Sequence, residues 1–205
     1  MSRLLVLGTH NRKKAEELTT LLSPHGFELK TLADFPNALE VVEDGDSFTA
    51  NALLKASQQA VHLQHWVLGE DSGLSVDALE GGPGIYSARF AGEDATDADN
   101  NRLLLERLAE TPLEKRTAFY TCHCSLSDPH GEILIDCEDC CRGRILFAAT
   151  GSGGFGYDPL FEIPEYHQTF GMLGESVKAV LSHRSRAIRK LVPLLLRLVG
   201  DGRWE

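Results

Sequence analysis

The chain has 205 residues, of which 42% are hydrophobic, and its 30 acidic and 20 basic side chains give a net charge of −10. This length and composition are enough for one substantial core and predict a single domain with two lobes, while the excess of acidic residues disfavours a general nucleic-acid binder. No apolar run approaches the roughly 20 residues that span a bilayer. The N-terminus lacks a signal-peptide pattern, so we expect a cytoplasmic protein with no membrane partner.

The N-terminal segment predicts a buried strand, a tight turn and a helix. Leu4–Leu7 is an uninterrupted apolar run, Gly8 and Thr9 break it, and Lys13–Leu22 has apolar residues at helical spacing. The basic residues at the start of the helix are Arg12, Lys13 and Lys14. A helix N-terminus already favours an anion, so three bases there indicate a polyanion site. A solvated basic turn is the alternative.

An acidic loop and a second helix follow a short strand predicted at Phe27–Leu32. Residues 34–46 are loop-like, and their acidic cluster includes Glu43. Ser47–Leu63 predicts a helix in which Asn51 and Lys55, four residues apart, share one face. Asn51 and Lys55 are therefore candidates for polar groups of a functional site beside the acidic loop.

A second strand, Trp66–Gly69, is predicted to end at the sequence Glu70-Asp71-Ser72-Gly73. Ligands of open α/β sheets collect at the carboxyl ends of strands, so these carboxylates are candidates for chemistry. With Glu43 they suit Mg²⁺, which takes one or two carboxylates and lets substrate phosphates complete its shell. A solvated acidic turn is again the alternative.

The middle of the chain predicts a glycine-rich loop at residues 81–84, a helix that starts near Thr96, and a β-hairpin. The hairpin strands are Thr117–Leu126 and Glu132–Cys141, which suggests a second lobe at roughly residues 115–165. All five cysteines lie in this hairpin and are expected to be thiols. Cys137 and Cys140 have C-x-x-C spacing, but without a second such pair on a turn they do not favour zinc.

Residues 151–156 match G-x-G-x-x-G literally but are followed by Tyr-Asp-Pro. The dinucleotide-binding fingerprint must open a helix, so we do not infer that function. Glycines still let the backbone approach a ligand closely. Phe155 or Tyr157 is a candidate to stack on a flat ring, and Asp158 to accept hydrogen bonds.

The C-terminal part predicts a strand at Leu160–Ile163, a loop at Pro164–Gly174, and a last helix from a Ser182 cap to about Val199. Pro193 is expected to kink or split that helix. His183 and Arg184 occupy its first turn, where an anion would sit. No serine has the G-x-S-x-G context of a serine hydrolase.

Five motifs in this order carry a family resemblance. They are T-x-N-x-x-K from Thr9, E-D-S-G-L from Glu70, G-G-x-G-I-Y-S-A-R from Gly81, G-x-G-G-F-G-Y-D-P from Gly151, and S-H-R from Ser182. The chain thereby resembles the inosine/xanthosine triphosphate pyrophosphatases, which are Ham1-like house-cleaning enzymes, over nearly its whole length. The resemblance implies a homodimeric α/β protein with a long central mixed sheet, flanking helices and two lobes around an active-site cleft. It also implies Mg²⁺-dependent hydrolysis of ITP, dITP or XTP to the monophosphate and pyrophosphate.

The resemblance also implies roles for individual residues. Asp71 resembles the general base, and Glu43 and Asp71 resemble the metal ligands. The implied substrate contacts are Thr9, His10, Asn11, Arg12, Lys13, Lys14, Lys55, Ser72, Phe155, Gly156, Tyr157, Asp158, Lys178, His183 and Arg184. The chain departs from the common pattern at His10, at Glu70 and in residues 165–174.

Two other functions remain open from the sequence. A nucleotide-binding sensor without chemistry fits the basic turn and the glycine loop, but it does not explain carboxylates beside a triphosphate. A related nucleotide pyrophosphatase with another base preference, such as modified pyrimidines, is the other alternative, and the sequence of the base loop alone does not distinguish it.

Overall fold

Residues 3–204, which a computed structural model describes, form one seven-stranded sheet and five α-helices. The strands are β1 (Leu4–Gly8), β2 (Glu28–Thr31), β3 (Val67–Val76), β4 (Thr117–Ser127), β5 (Ile133–Ile145), β6 (Phe161–Ile163) and β7 (Gln168–Thr169). The helices are α1 (Arg12–Leu22), α2 (Phe48–Leu63), α3 (Asp97–Arg107), α4 (Phe170–Leu181) and α5 (His183–Gly200). The strand order is β2-β1-β3-β4-β5-β6-β7, with β1 parallel to β2 and β3 and with antiparallel pairs at β5–β6 and β6–β7. The predicted α/β class with a mixed sheet is confirmed.

The chain divides into two compact units, the first of which takes in the chain up to Asp71, residues 122–139 and the chain from Arg184 onward. Its core is built from the apolar face of β1, the leucines of α1 and the inner face of α5. On α5 the apolar side chains of Ile188, Leu191 and Leu195 are buried. On α2 the stripe of Ala52, Ala56 and Ala60 is fully buried.

The second unit takes in residues 72–121 and 140–183. Its core joins the distal half of β3 and the start of β4 to α3 and to β6, with Leu74, Leu104 and Phe161 fully buried. Arg116 is also buried here and donates its guanidinium hydrogen bonds to the backbone carbonyls of Leu108, Thr111 and Leu146. The prediction of one domain with a second lobe at residues 115–165 stays a prediction.

Two local predictions were wrong, and one was tested only in part. β3 does not end at Glu70 but runs on to Val76, so the acidic pair lies inside a strand rather than in a turn. Residues 164–174 are not all loop, since they include β7 and the start of α4, which is interrupted by non-helical backbone at Gly174. α5 continues through Pro193, so the helix is not split there, and the alternative, a kink at Pro193, stays a prediction. Among residues 3–204 no helix has both the length and the apolar character needed to cross a membrane.

Candidate active site

The turn between β1 and α1 is held in shape by its own side chains. The Thr9 hydroxyl accepts a hydrogen bond from the Asn11 amide at 3.2 Å, and the Asn11 side chain accepts one from the Lys14 amide at 3.1 Å. Asn11 is therefore the N-cap of α1, which explains why the helix begins at Arg12. Thr9 is buried, whereas His10, Asn11, Arg12 and Lys13 are exposed.

Glu70 is the centre of a buried charge network in the first unit. Its Oε2 atom lies 3.1 Å from Lys14 Nζ, and its Oε1 atom accepts a hydrogen bond from Arg184 Nη2 at 3.0 Å. Arg184 also forms a short ion pair with Glu17 of α1. Burial lowers the pKa of Arg184, but the charges of Glu70 and Glu17 outweigh that effect and raise it overall. Arg184 stays charged and ties the start of α5 to β3 and α1.

Asp71 lies beside this network and is held by two side chains of α2. Lys55 Nζ donates to Asp71 Oδ1 at 2.8 Å, and Asn51 Nδ2 donates to Asp71 Oδ2 at 3.3 Å. α2 comes this close because Gly69 has no side chain: a Cβ atom there would lie 2.3 Å from the Ala52 carbonyl oxygen. Burial raises the pKa of Asp71 by more than the charges of Lys14 and Lys55 lower it. A buried carboxylate with a raised pKa suits a general base.

The same face of α2 positions the loop that carries Glu43. Lys55 Nζ donates to Glu43 Oε2 at 2.9 Å, and the Asn51 side chain accepts from the Gly45 amide at 3.0 Å. The Gln59 amide group binds both polar backbone atoms of Leu39, at 3.1 and 2.6 Å. Asn51, Lys55 and Gln59 follow one another at intervals of four, so a single helical stripe fixes an irregular loop.

The donor set around Lys55 fits a hard divalent cation that binds together with phosphates. Within residues 3–204 no group of three or more His, Cys, Asp or Glu side chains is arranged to hold a metal by itself. Two carboxylates, Glu43 and Asp71, do converge on one positive group, the Lys55 ammonium. Two carboxylate ligands are what Mg²⁺ commonly takes from a protein when substrate phosphates supply the others.

The glycine loop of the second unit is organised around Asp158. Asp158 Oδ2 accepts from the Phe155 amide at 2.8 Å and from Lys178 Nζ at 2.7 Å. Lys178 Nζ also lies 4.4 Å from the centre of the Phe155 ring, which is a cation–π distance. The loop therefore brings together an aromatic ring, an ammonium group and a carboxylate.

The two aromatic residues of this loop have different surroundings. Tyr157 is buried in the core of the second unit, its hydroxyl donates to the Ser87 carbonyl at 2.8 Å, and burial together with Asp97 raises its pKa. Phe155 keeps part of its ring exposed. Of the two candidates for stacking on a flat ring, Phe155 is the accessible one.

The remaining predicted site residues are more enclosed. His183 is buried and stacks on Tyr120, with ring centroids 4.7 Å apart. Ser72 follows Asp71 in β3 and is half-buried. All five cysteines are free thiols, and the Cys122 thiol lies 3.3 Å from Glu70 Oε1.

The sequence of this chain is similar to those of a known protein family. The model of the Ham1 family matches residues 5–194. The chain belongs to the Ham1 family. A dITP/XTP pyrophosphatase from Rhodopirellula baltica is 55% identical over 195 residues, which cover 95% of this chain and 94% of that one. A dITP/XTP pyrophosphatase from Exiguobacterium sibiricum is 46% identical over 197 residues, covering 96% and 99%.

Solved structures of the family share the fold. A HAM1 protein from Coxiella burnetii superimposes with a TM-score of 0.87 at 32% identity, and the match covers 96% of this chain and 100% of that one. A nucleoside-triphosphatase, also described as a dITP/XTP pyrophosphatase, from Mycobacterium abscessus gives 0.75 at 39% identity, covering 93% and 99%. The predicted family and α/β fold of this Ham1 chain are thereby confirmed.

Sequence reasoning missed several members of the site. Glu17 and Gln59 are not among the site residues predicted from the sequence. The spacing of four residues from Asn51 through Lys55 to Gln59 is a signal by which Gln59 could have been found. Glu17 had no such signal, because its partner Arg184 lies far along the chain. The individual substrate, catalytic and metal-binding roles of the predicted residues stay predictions.

Proposed function

We propose that this Ham1-family chain hydrolyses the triphosphates of deaminated purines, such as ITP, dITP and XTP, to the monophosphate and pyrophosphate. Such an activity is that of a house-cleaning enzyme, which keeps these nucleotides out of DNA and RNA. The observation that carries the proposal is the buried Asp71 carboxylate, held by Asn51 and Lys55 beside a cluster of cations. Relatives from Rhodopirellula baltica and Exiguobacterium sibiricum are named dITP/XTP pyrophosphatases, which supports it.

In this proposal Asp71 is the general base. It takes a proton from the water that attacks the α-phosphorus, while the bond from that phosphorus to the bridging oxygen breaks and pyrophosphate leaves. Asn51 fixes the orientation of the carboxylate. Burial raises the pKa of Asp71, so the carboxylate accepts a proton more readily than one in water.

The triphosphate is proposed to bind at the turn before α1 and at Lys55. Thr9 and Asn11 hold the shape of this turn, and a helix N-terminus such as the one that follows favours an anion. His10, Arg12, Lys13 and Lys14 then contribute side chains to the same site. Glu70 holds Lys14 in place from the buried side. Catalysis of phosphoryl transfer depends mainly on such positioning and charge neutralisation.

Mg²⁺ is the proposed cofactor, with Glu43 and Asp71 as its protein ligands. When bound, it would neutralise phosphate charge and orient the phosphates for attack. Lys55 neutralises the same two carboxylates without it and so keeps them together.

The base is proposed to bind at the glycine loop. Phe155 stacks on the purine ring, and Gly156, Tyr157, Asp158 and Lys178 contact its edge. Ser72, His183 and Arg184 stay proposed as contacts of the substrate. Donors aimed at the 6-oxo group would lose their partner when a 6-amino group replaces it. This difference would favour inosine and xanthosine nucleotides over adenosine nucleotides. Guanosine nucleotides keep the 6-oxo group and are proposed to be disfavoured because their 2-amino donor would be enclosed without an acceptor.

We also propose that the enzyme is a cytoplasmic homodimer that binds neither nucleic acid nor membrane. The family resemblance supports the dimer, and the net charge of −10 is consistent with the absence of nucleic-acid binding. Analytical ultracentrifugation tests the dimer, since a mass near that of one chain would contradict it.

The products formed from ITP test the proposed reaction. Equal amounts of IMP and pyrophosphate are expected. Formation of IDP and orthophosphate would place the cleavage at another bond and overturn it. Binding of ITP without any product would instead support the nucleotide sensor.

A further inference from the structure

Both polar backbone groups of Gly156 are bound by side chains of α3. The Gly156 amide donates to Asp97 Oδ2 at 2.9 Å, and the Gly156 carbonyl accepts from Asn101 Nδ2 at 3.0 Å. Asp97 and Asn101 are four residues apart and therefore lie on one face of α3. Side chains on one face of α3 thus bind both the amide and the carbonyl group of a single loop residue.

These two hydrogen bonds stabilise a backbone conformation that the loop would not hold by itself. Gly156 has a φ of +61°, in the left-handed region, and it lies in a segment without strand or helix. Because glycine reaches many φ and ψ values at little cost, its conformation depends on what binds its peptide groups. The two hydrogen bonds set the planes of the peptides on either side of Gly156, and hence the relative directions of Phe155 and Tyr157.

Capping of α3 does not explain Asp97. The cap is supplied by Thr96 and Asp99, whose side chains accept hydrogen bonds from each other's backbone amides at 3.2 and 3.1 Å. Asp99 also binds Arg102. The first turn therefore has its stabilising acid already, and the Asp97 carboxylate is directed to the loop.

We propose that Asp97 and Asn101 are positioning residues for base selection, acting through Gly156 on the loop that carries Phe155 and Asp158, the partner of Lys178. This inference rests on the proposed function, since it assumes that the loop reads the purine. Neither residue contacts the base. Their effect is to hold the ring and the polar groups of the loop at one spacing, so that a nucleotide with the wrong edge is rejected.

The experiment compares kcat/KM for ITP with kcat/KM for GTP in Asp97→Ala and in Asn101→Asp. Asp97→Ala removes the acceptor, and Asn101→Asp places a carboxylate oxygen against the Gly156 carbonyl. Each is expected to lower the ITP-to-GTP ratio by roughly tenfold, the scale of one lost polar contact in selection. Asp97→Asn keeps an acceptor oxygen and is expected to restore most of the ratio.

Asp99→Ala is the matched control, because it weakens the cap of the same helix but leaves Gly156 bound. It is expected to lower the melting temperature while the ITP-to-GTP ratio stays at the wild-type value. An unchanged ratio in both Asp97→Ala and Asn101→Asp would overturn the inference, as would an equal fall in Asp99→Ala. If Asp97→Ala does not fold, the inference is tested by comparing the ITP-to-GTP ratio of Asn101→Asp with that of Asp99→Ala. Wild-type enzyme that forms no IMP from ITP would be a failure of the proposed function itself, visible before any variant is compared.

Discussion

Lys55 Nζ lies 2.8 Å from Asp71 Oδ1, and the two side chains are only 10% and 8% exposed. The ammonium group also reaches Glu43, so it holds together two carboxylates that repel each other. The charge arrangement of the site is therefore built into the protein before any substrate binds. The proposed roles of Asp71, Lys55 and Glu70 each make a separate prediction.

Asp71→Asn is expected to lower kcat for ITP by about 10²–10⁴-fold, the usual contribution of a general base. ITP binding, measured by calorimetry without Mg²⁺, should stay within a few-fold of wild type, since the amide keeps the shape of the side chain. Asp94→Asn, which changes an exposed carboxylate, is the control and should leave kcat unchanged. Normal turnover in Asp71→Asn would contradict the assignment of the base.

Lys55→Met is expected to lower the free energy of unfolding by about 3 kcal/mol, because it leaves a buried carboxylate without its counter-charge. Urea denaturation measures this loss. Lys115→Met replaces an exposed lysine and should change stability little. Equal stability of the two variants would show that Lys55 is not required to hold Asp71 and Glu43 together.

Glu70→Gln is expected to raise KM for ITP and to lower the melting temperature. The fully buried Glu70 carboxylate binds both Lys14 and Arg184, and a hydrogen bond to a charged group is worth about 1.5–3 kcal/mol. Loss of that charge releases Lys14 from the place where the triphosphate is proposed to bind. Glu80→Gln, at an exposed position, is the control. A KM equal to that of the control would contradict the link between Glu70 and substrate binding.

Alkylation of Cys137 should depend steeply on pH. Burial, with smaller effects from Cys124 and Asp136, raises the pKa of Cys137 to about 12. Only the thiolate reacts, so at pH 8 the reactive fraction is on the order of 10⁻⁴, and it should rise about tenfold for each pH unit up to pH 11. Iodoacetamide labelling followed by peptide mass spectrometry measures the rate. Denatured protein is the control, in which labelling should level off near pH 9; the same plateau in native protein would contradict the raised pKa.

Features set by neighbours in the sequence were predicted well. The strand and helix around the Thr9–Lys14 turn follow from an apolar run, a cap residue and helical spacing, which are all local. The shared face of Asn51 and Lys55 follows from helical geometry alone. In the structure both side chains donate hydrogen bonds to Asp71. This is the part of the site that local sequence patterns predict best.

Features set by distant partners were not predicted. β3 runs past Glu70 because β4 is its neighbour in the sheet, and nothing within Trp66–Gly73 records that pairing. The bonds from Asp97 and Asn101 to Gly156 join segments that are 59 and 55 residues apart. Local patterns identify the chemical types in such a site but not which of them come into contact.

The most direct test of the proposed function is the rate of product formation from ITP and GTP side by side, with and without Mg²⁺. IMP and pyrophosphate are expected from ITP only when Mg²⁺ is present, with GTP cleaved much more slowly. Equal rates for the two nucleotides would contradict selection of deaminated purines. Binding of both nucleotides with cleavage of neither would contradict the pyrophosphatase itself.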